Sequence, residues 1–247
     1  EPDGQILLAG AFIRLGGGTG TTDRQYIGRL NADGAVDAFN PGASGQVSSF
    51  AVQADGKIVV GGYSYAYSDS DFAVLRYNTN GSLDTTFSGD GKTTTAIGNG
   101  DDRATALAIQ GDGKIILAGY SNTGSDSHFA VVRYNTDGSL DTTFSGDGRA
   151  TTAIGTGASR ANALAIQGDG KIVLAGEIDD TLYLQRGPRI HHGHGLVLRI
   201  QIALAEMGHY VGCVIIGAQL IAANPFRADN FFEFADYVLH RATAFLL

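Results

Sequence analysis

The chain has 247 residues, 43% hydrophobic and 17% charged, a globular composition with enough apolar material for one large or two small cores. Its 17 basic against 25 acidic residues give a net charge of -8, which disfavours a nucleic-acid backbone or an anionic membrane surface as partner. A single cysteine, Cys213, excludes an internal disulfide framework, and 36 glycines, roughly twice the usual share, point to tight turns rather than long helices.

The chain opens on EPDGQILLAG, which is the middle of a repeated unit, so a piece of a longer protein is expected. PDGQILLAG at Pro2 recurs as ADGKIVVGG at Ala54, GDGKIILAG at Gly111 and GDGKIVLAG at Gly168. The shared aspartates Asp3, Asp55, Asp112 and Asp169 stand 52, 57 and 57 residues apart. Between them lie FAVLRYNTNGSLDTTFSGDGK from Phe72 and FAVVRYNTDGSLDTTFSGDGR from Phe129, with a looser copy, YIGRLNADGAVDAF, from Tyr26.

Each unit reads as four short strands: in the third, KIILAGY from Lys114, FAVVRYN from Phe129, RATTAI from Arg149 and ANALAIQ from Ala161. They are rich in β-branched and small apolar residues and bounded by Gly, Asn, Asp and Ser clusters, the composition of strands and hairpin turns. Four antiparallel strands per unit of this length predict a mainly β fold: a partial β-propeller-like array of four-stranded antiparallel blades. The DGKI segments followed by VxRYNxDGSLDTTF resemble the delta-60 repeat, a bacterial β-propeller-like repeat. The resemblance covers residues 1–177 and implies a secreted or cell-surface location, and it brings no catalytic residue with it.

After residue 177 the repeat stops, and the expected C-terminal segment, 178–247, is irregular or partly helical. GLVLRIQ from Gly195 aligns with FAVLRYN, but no DGSLD follows, so the fourth blade is expected to be at best half formed. Val197–Met207 reads equally as an apolar helix, and Asp229–Leu247 is predicted as a terminal helix. Three readings of the tail stay open: a cap on the last blade or its diverged remainder, a separate domain cut short, or a non-native sequence from a frame error. No run is long and apolar enough to predict a membrane span.

Asn135, Asp137 and Asp141, at positions one, three and seven of a glycine-kinked loop, are a calcium-ligand pattern, with Asp147, Asp84 and Asp90 as further candidate ligands. The same letters spell a self-bonded Asx-type turn, which explains every copy without an ion, and no other cofactor is expected. Arg76 and Arg133 are expected to pair with nearby carboxylates. HHGHG, His191–Gly195, is a candidate for transition-metal binding. The loops that differ between units, Arg14–Gln25, Tyr65–Asp71 and Asn122–His128, are where a protein or glycan partner would be recognised, with Tyr65, Tyr67, Asp69, Asp71, Asp126 and His128 as contact residues. A non-enzymatic binding scaffold is the first functional reading. A propeller-type hydrolase or lyase acting on polysaccharide is the second, and it needs two carboxylates at a set separation, for which Asp101 and Asp102 are the nearest candidates. A calcium-stabilised adhesion module is the third.

Overall fold

A computed structural model describes residues 4–16, 22–66, 69–154, 157–182, 196–207 and 210–221, with side chains described up to Ile178 except at Ala66. Its strands in chain order are β1 (Ile6–Ala9), β2 (Arg14–Leu15), β3 (Thr22–Asp23), β4 (Ile27–Leu30), β5 (Val47–Val52), β6 (Ile58–Ala66), β7 (Asp69–Tyr77) and β8 (Lys92–Thr95), followed by β9 (Asp102–Ile109), β10 (Ile115–Asn122), β11 (Ser127–Tyr134), β12 (Arg149–Thr152), β13 (Ala158–Ile166), β14 (Ile172–Leu182), β15 (Leu196–Met207) and β16 (Tyr210–Ile221). All pairings are antiparallel, and three sheets have four strands in sequence order: β5-β6-β7-β8, β9-β10-β11-β12 and β13-β14-β15-β16. A first blade consists of β1 paired with β4, and the hairpin β2-β3 lies in the connection between them. Among the described residues there is no helix, and hence none long and apolar enough to cross a membrane.

The three blades from β5 onward have four strands each, but their frame is offset by one strand from the repeat read in the sequence. ANALAIQ, read as the last strand of its unit, forms β13 and opens the next sheet by pairing with β14. The cause is the Asp-Gly turn: Gln110 N donates to Lys114 O and Gly113 N to Gln110 O, so β9 folds straight back as β10. The longer link between β8 and β9 makes the crossing from one sheet to the next.

The fourth blade is complete rather than half formed. Val197–Met207 is strand and not helix: β15 pairs with β14 from Leu182↔Leu196 to Val173↔Ala205 and with β16 along its other edge. Val197, Ile200 and Ile202 favour an extended backbone, and both neighbours satisfy its hydrogen bonds. The 177/178 boundary falls inside β14. The predicted helix at Asp229–Leu247 and the HHGHG histidines lie outside the described residues.

Each sheet packs its face on the next. β9 lies against β5, β6 and β7, and β13 lies against β9, β10 and β11. One apolar cluster fills each of the three junctions: Ile27, Phe39, Val60 and Tyr77 in the first, Val59, Phe72, Leu117 and Tyr134 in the second, Ile116, Phe129, Leu174 and Ile178 in the third. The continuous apolar strands therefore bury both faces, as β10 shows with Ile115, Ile116, Leu117 and Ala118 all at 0% exposure.

Candidate functional site: a groove beside the first blade

The repeated NTDGSLDTTFSGDG segment folds into a clamp between neighbouring blades. In the second blade Arg76 Nε donates to Asp84 Oδ2 at 2.7 Å, Lys57 Nζ reaches the same oxygen at 2.9 Å, and Thr86 N and Oγ1 donate to Asp84 Oδ1 at 3.1 and 2.6 Å. The Arg76 guanidinium stacks on Phe87 at 4.8 Å and donates through Nη1 to Thr136 O, in the turn of the following blade, at 2.6 Å. Ser88 N donates to Asp137 O of that same turn at 2.7 Å. The third blade repeats the geometry with Arg133, Lys114, Asp141, Thr143 and Phe144, and the first has Arg29, Asp37 and Phe39, with Arg29 Nη1 reaching Thr79 O at 3.5 Å.

These contacts place the loop residues read as calcium candidates. Burial opposes the charge on Asp84, but the hydrogen bonds from Thr86 and Lys57 and the Arg76 charge win and hold its carboxyl well below the usual carboxylate range. Asp141 is held low in the same way, by Thr143 first and then by Lys114 and Arg133. Asp137 Oδ1 accepts from Ser139 N and Oγ, and Asn135 Nδ2 donates to Ser139 Oγ and Leu140 O, the Asx-type bonding of a turn. Asp90 and Asp147 cap the next strand by accepting from Lys92 N and Arg149 N. Arg76 and Arg133 pair with carboxylates as their sequence context suggests.

The variable-loop candidates sit at the opposite end of the strands. Tyr65 and Asp69 lie on opposite strands of the β6-β7 hairpin, one register apart, as Tyr65↔Ser70 and Ala66↔Asp69, and Asp71 pairs with Ser64. Tyr65, 70% exposed, stands edge-on to Tyr63 at 5.6 Å, and Arg103 of the next blade lies over both rings. Burial, then Asp69 and Asp102, raise the Asp71 carboxyl. Asp126 and His128 occupy the corresponding connection one blade on, where Ser125 Oγ donates to Asp126 Oδ2. Tyr67 lies outside the described residues. Asp101 accepts from Ser70 N and Oγ and from Arg103, while the buried Asp102 accepts from Ile97 N and Gly98 N, so the two carboxylates serve separate backbone connections. Among the described residues no three His, Cys, Asp or Glu side chains converge as a metal site.

Sequence reading missed a groove of about 1050 Å³ against the first blade. Its lining includes Phe12, Ile13 and Tyr26 on the first-blade side, Ser44 and Gln46 of the linking loop, and Val60, Tyr63, Leu75, Lys92 and Thr94 of the second blade. The signal for it was present in the spacing. Arg29 lies 26 residues after Asp3, against 21 from Asp55 to Arg76 and from Asp112 to Arg133. Asp55 lies only 18 residues after Asp37, against 28 from Asp84 to Asp112 and from Asp141 to Asp169. The interval of 52 thus conceals a gain of five residues, spent on the β2-β3 hairpin, and a loss of ten where β8 and β12 lie in the other blades. The first blade has no outer strand among the described residues, and the groove opens beside that position.

Four-stranded antiparallel blades, repeated and packed face to face, define a β-propeller-like repeat protein. A family model described as a domain of unknown function (DUF5122) beta-propeller matches residues 1–39, 53–87 and 110–144. Among solved structures, a mannose phosphorylase from Leishmania mexicana in complex with phosphate ion is similar at 14% identity and a TM-score of 0.40 over 81% of this chain, which spans 61% of that structure's own length. No curated protein matches the chain.

Proposed function

We propose that the chain is a non-enzymatic binding scaffold built of delta-60-type repeats, secreted or displayed at a bacterial surface, which holds a protein or glycan partner in the groove beside its first blade. The observation that carries this reading is the groove itself: a cavity of about 1050 Å³ produced by a local departure from an otherwise regular repeat. Its volume is that of a ligand site, and its lining mixes aromatic and hydroxyl side chains with one acid, Asp90, and one base, Lys92. The clamps occupy the recurrent acidic residues with structural bonds, which favours binding over hydrolysis by a carboxylate pair.

The test is a parallel screen of the immobilised chain against a glycan array and a displayed peptide library. Thr94→Arg fills the groove from an exposed strand position, and it is expected to abolish capture while leaving the melting midpoint unchanged. Ligands that bind Thr94→Arg as well as the parent chain would place recognition elsewhere and sink the proposal.

A further inference from the structure

We infer that the groove is a socket for a phenylalanine side chain presented by a protein partner. The inference rests on the groove-binding reading above and names the chemistry of the partner.

The two later junctions show what belongs in this position. Phe72 and Phe129 stand four residues before Arg76 and Arg133, and each is buried, at 0% and 1% exposure, in the apolar cluster between its own blade and the next. Phe129 lies directly on a glycine of the following blade: a Cβ at Gly176 would come to 2.7 Å from Phe129 Cζ, so the bare backbone there is matched to the ring. Opposite each phenylalanine is a tyrosine, Tyr63 beside Phe72 and Tyr120 beside Phe129, and each tyrosine carries a guanidinium of the next blade, Arg103 and Arg160.

The first junction keeps the glycine and lacks these partners. Gly62 stands four residues after Ile58, as Gly176 stands four after Ile172, and it lines the groove. The nearest atoms to a Cβ built on Gly62 are Gln46 O and the amide and hydroxyl of Ser48, all from its own blade. The residue four before Arg29 is Gln25, which is exposed. Ala11 follows Ile6 by five residues, as Tyr63 follows Ile58, and Gln46 precedes the partner of Gly62 as Arg103 precedes the partner of Gly119. Ala11 and Gln46 both line the groove, so smaller or uncharged side chains stand where the later junctions hold a stacked pair. Burial records the difference: Ala130 and Val132 of the third blade are at 0% exposure, whereas at the same places on the second blade Ala73 is at 7% and Leu75 is half-buried.

Gly62, Ala73 and Thr94 are paired in one row across β6, β7 and β8, with Val60 and Leu75 paired in another, and all five line the groove. The floor is therefore largely apolar. A sugar hydroxyl laid on Gly62, Ala73 and Val60 would lose its hydration without a side-chain partner in return, whereas a phenyl ring has none to lose there. The chain's own SDFAVLR, residues 70–76, places such a ring one junction later and shows what fits.

The experiment uses the full chain and a fluorescent peptide of sequence SDFAVLR, followed by anisotropy. Saturable binding is expected, and replacing the peptide's phenylalanine by glutamine, the residue the first blade itself carries, should weaken it about tenfold to a hundredfold, the worth of burying one phenyl ring. Thr94→Arg should abolish binding of the phenylalanine peptide. The inference is overturned if that peptide does not bind, if the phenylalanine and glutamine peptides bind the parent chain equally, or if Thr94→Arg binds the phenylalanine peptide as tightly as the parent does. Saccharide capture lost in Thr94→Arg, with no peptide binding, would overturn this inference while leaving the groove-binding reading intact. Capture of neither class would overturn both.

Discussion

Replacing glycine by alanine at three equivalent turn positions separates the clamp from an ordinary turn. Gly34, Gly81 and Gly138 all have positive φ, +82°, +88° and +89°, so each alanine carries the same left-handed strain of about 1–2 kcal/mol. Their surroundings differ. A Cβ at Gly34 meets nothing within 4 Å, one at Gly81 comes to 3.2 Å from the Phe39 ring, and one at Gly138 comes to 2.9–3.0 Å from three carbons of the Phe87 ring. Phe87 is fully buried under its own Arg76 and has nowhere to move. Overpacking of this kind adds about 1–3 kcal/mol. Gly138→Ala should therefore be about 1–3 kcal/mol less stable than Gly34→Ala in urea unfolding, and Gly81→Ala should fall between. For a chain of this size the outer pair should differ in melting midpoint by about 3–10 °C. Equal losses at the three sites would show that the turn does not bear on the preceding blade and would refute the clamp.

Thr95→Val should cost about 1–3 kcal/mol by leaving the Tyr134 hydroxyl buried and unbonded, and adding Tyr134→Phe should recover most of that loss, as a double-mutant cycle can measure. Asp84 and Asp141 have folded pKa values depressed below the unfolded value of about 3.8, so they bind fewer protons folded than unfolded and stabilise the fold fully above that value. Stability should begin to fall as the pH drops below about 4 and keep falling toward the lower folded values, and Asp84→Asn should flatten this acid limb of a pH-dependent urea series. The midpoint should be the same in EDTA and in millimolar Ca²⁺, because Asp84 and Asp141 already hold two cationic side chains each. A rise specific to Ca²⁺ and absent with Mg²⁺ would instead assign the Asn135–Asp141 loop to ion binding.

Period and strand composition made the four-stranded blade legible, because DGKI and RYNxDGSLD each sit at one fixed place in the pleat. The frame was less legible. ANALAIQ and KIILAGY are both good strands, and only the hairpin bonding of Gln110 with Lys114 says that such neighbours share a sheet. Arg76 and Asp84 could be paired from eight-residue spacing across a turn, but the stacking of Phe87 under Gly138 spans two repeats and leaves no local trace. The strand character of Leu196–Met207 was ambiguous because an apolar run fits either state until its neighbours are known. The groove was recoverable from the 18-residue interval between Asp37 and Asp55, had the shortened period been resolved into its two compensating changes.

The clamp bears on how such arrays grow. At the first two junctions a unit carries an arginine and phenylalanine that receive the turn of the unit after it, and the second unit also presents a turn received by the unit before. A duplication of one whole unit therefore inserts both halves of the joint at once, and the new copy is compatible with its parents from the first generation. A duplication that broke the unit between Arg76 and Gly138 would leave one half without its complement. Selection on the joint thus favours additions in whole multiples of the period, while the connections at the far end of the strands remain free to diverge in length, as the first blade has done.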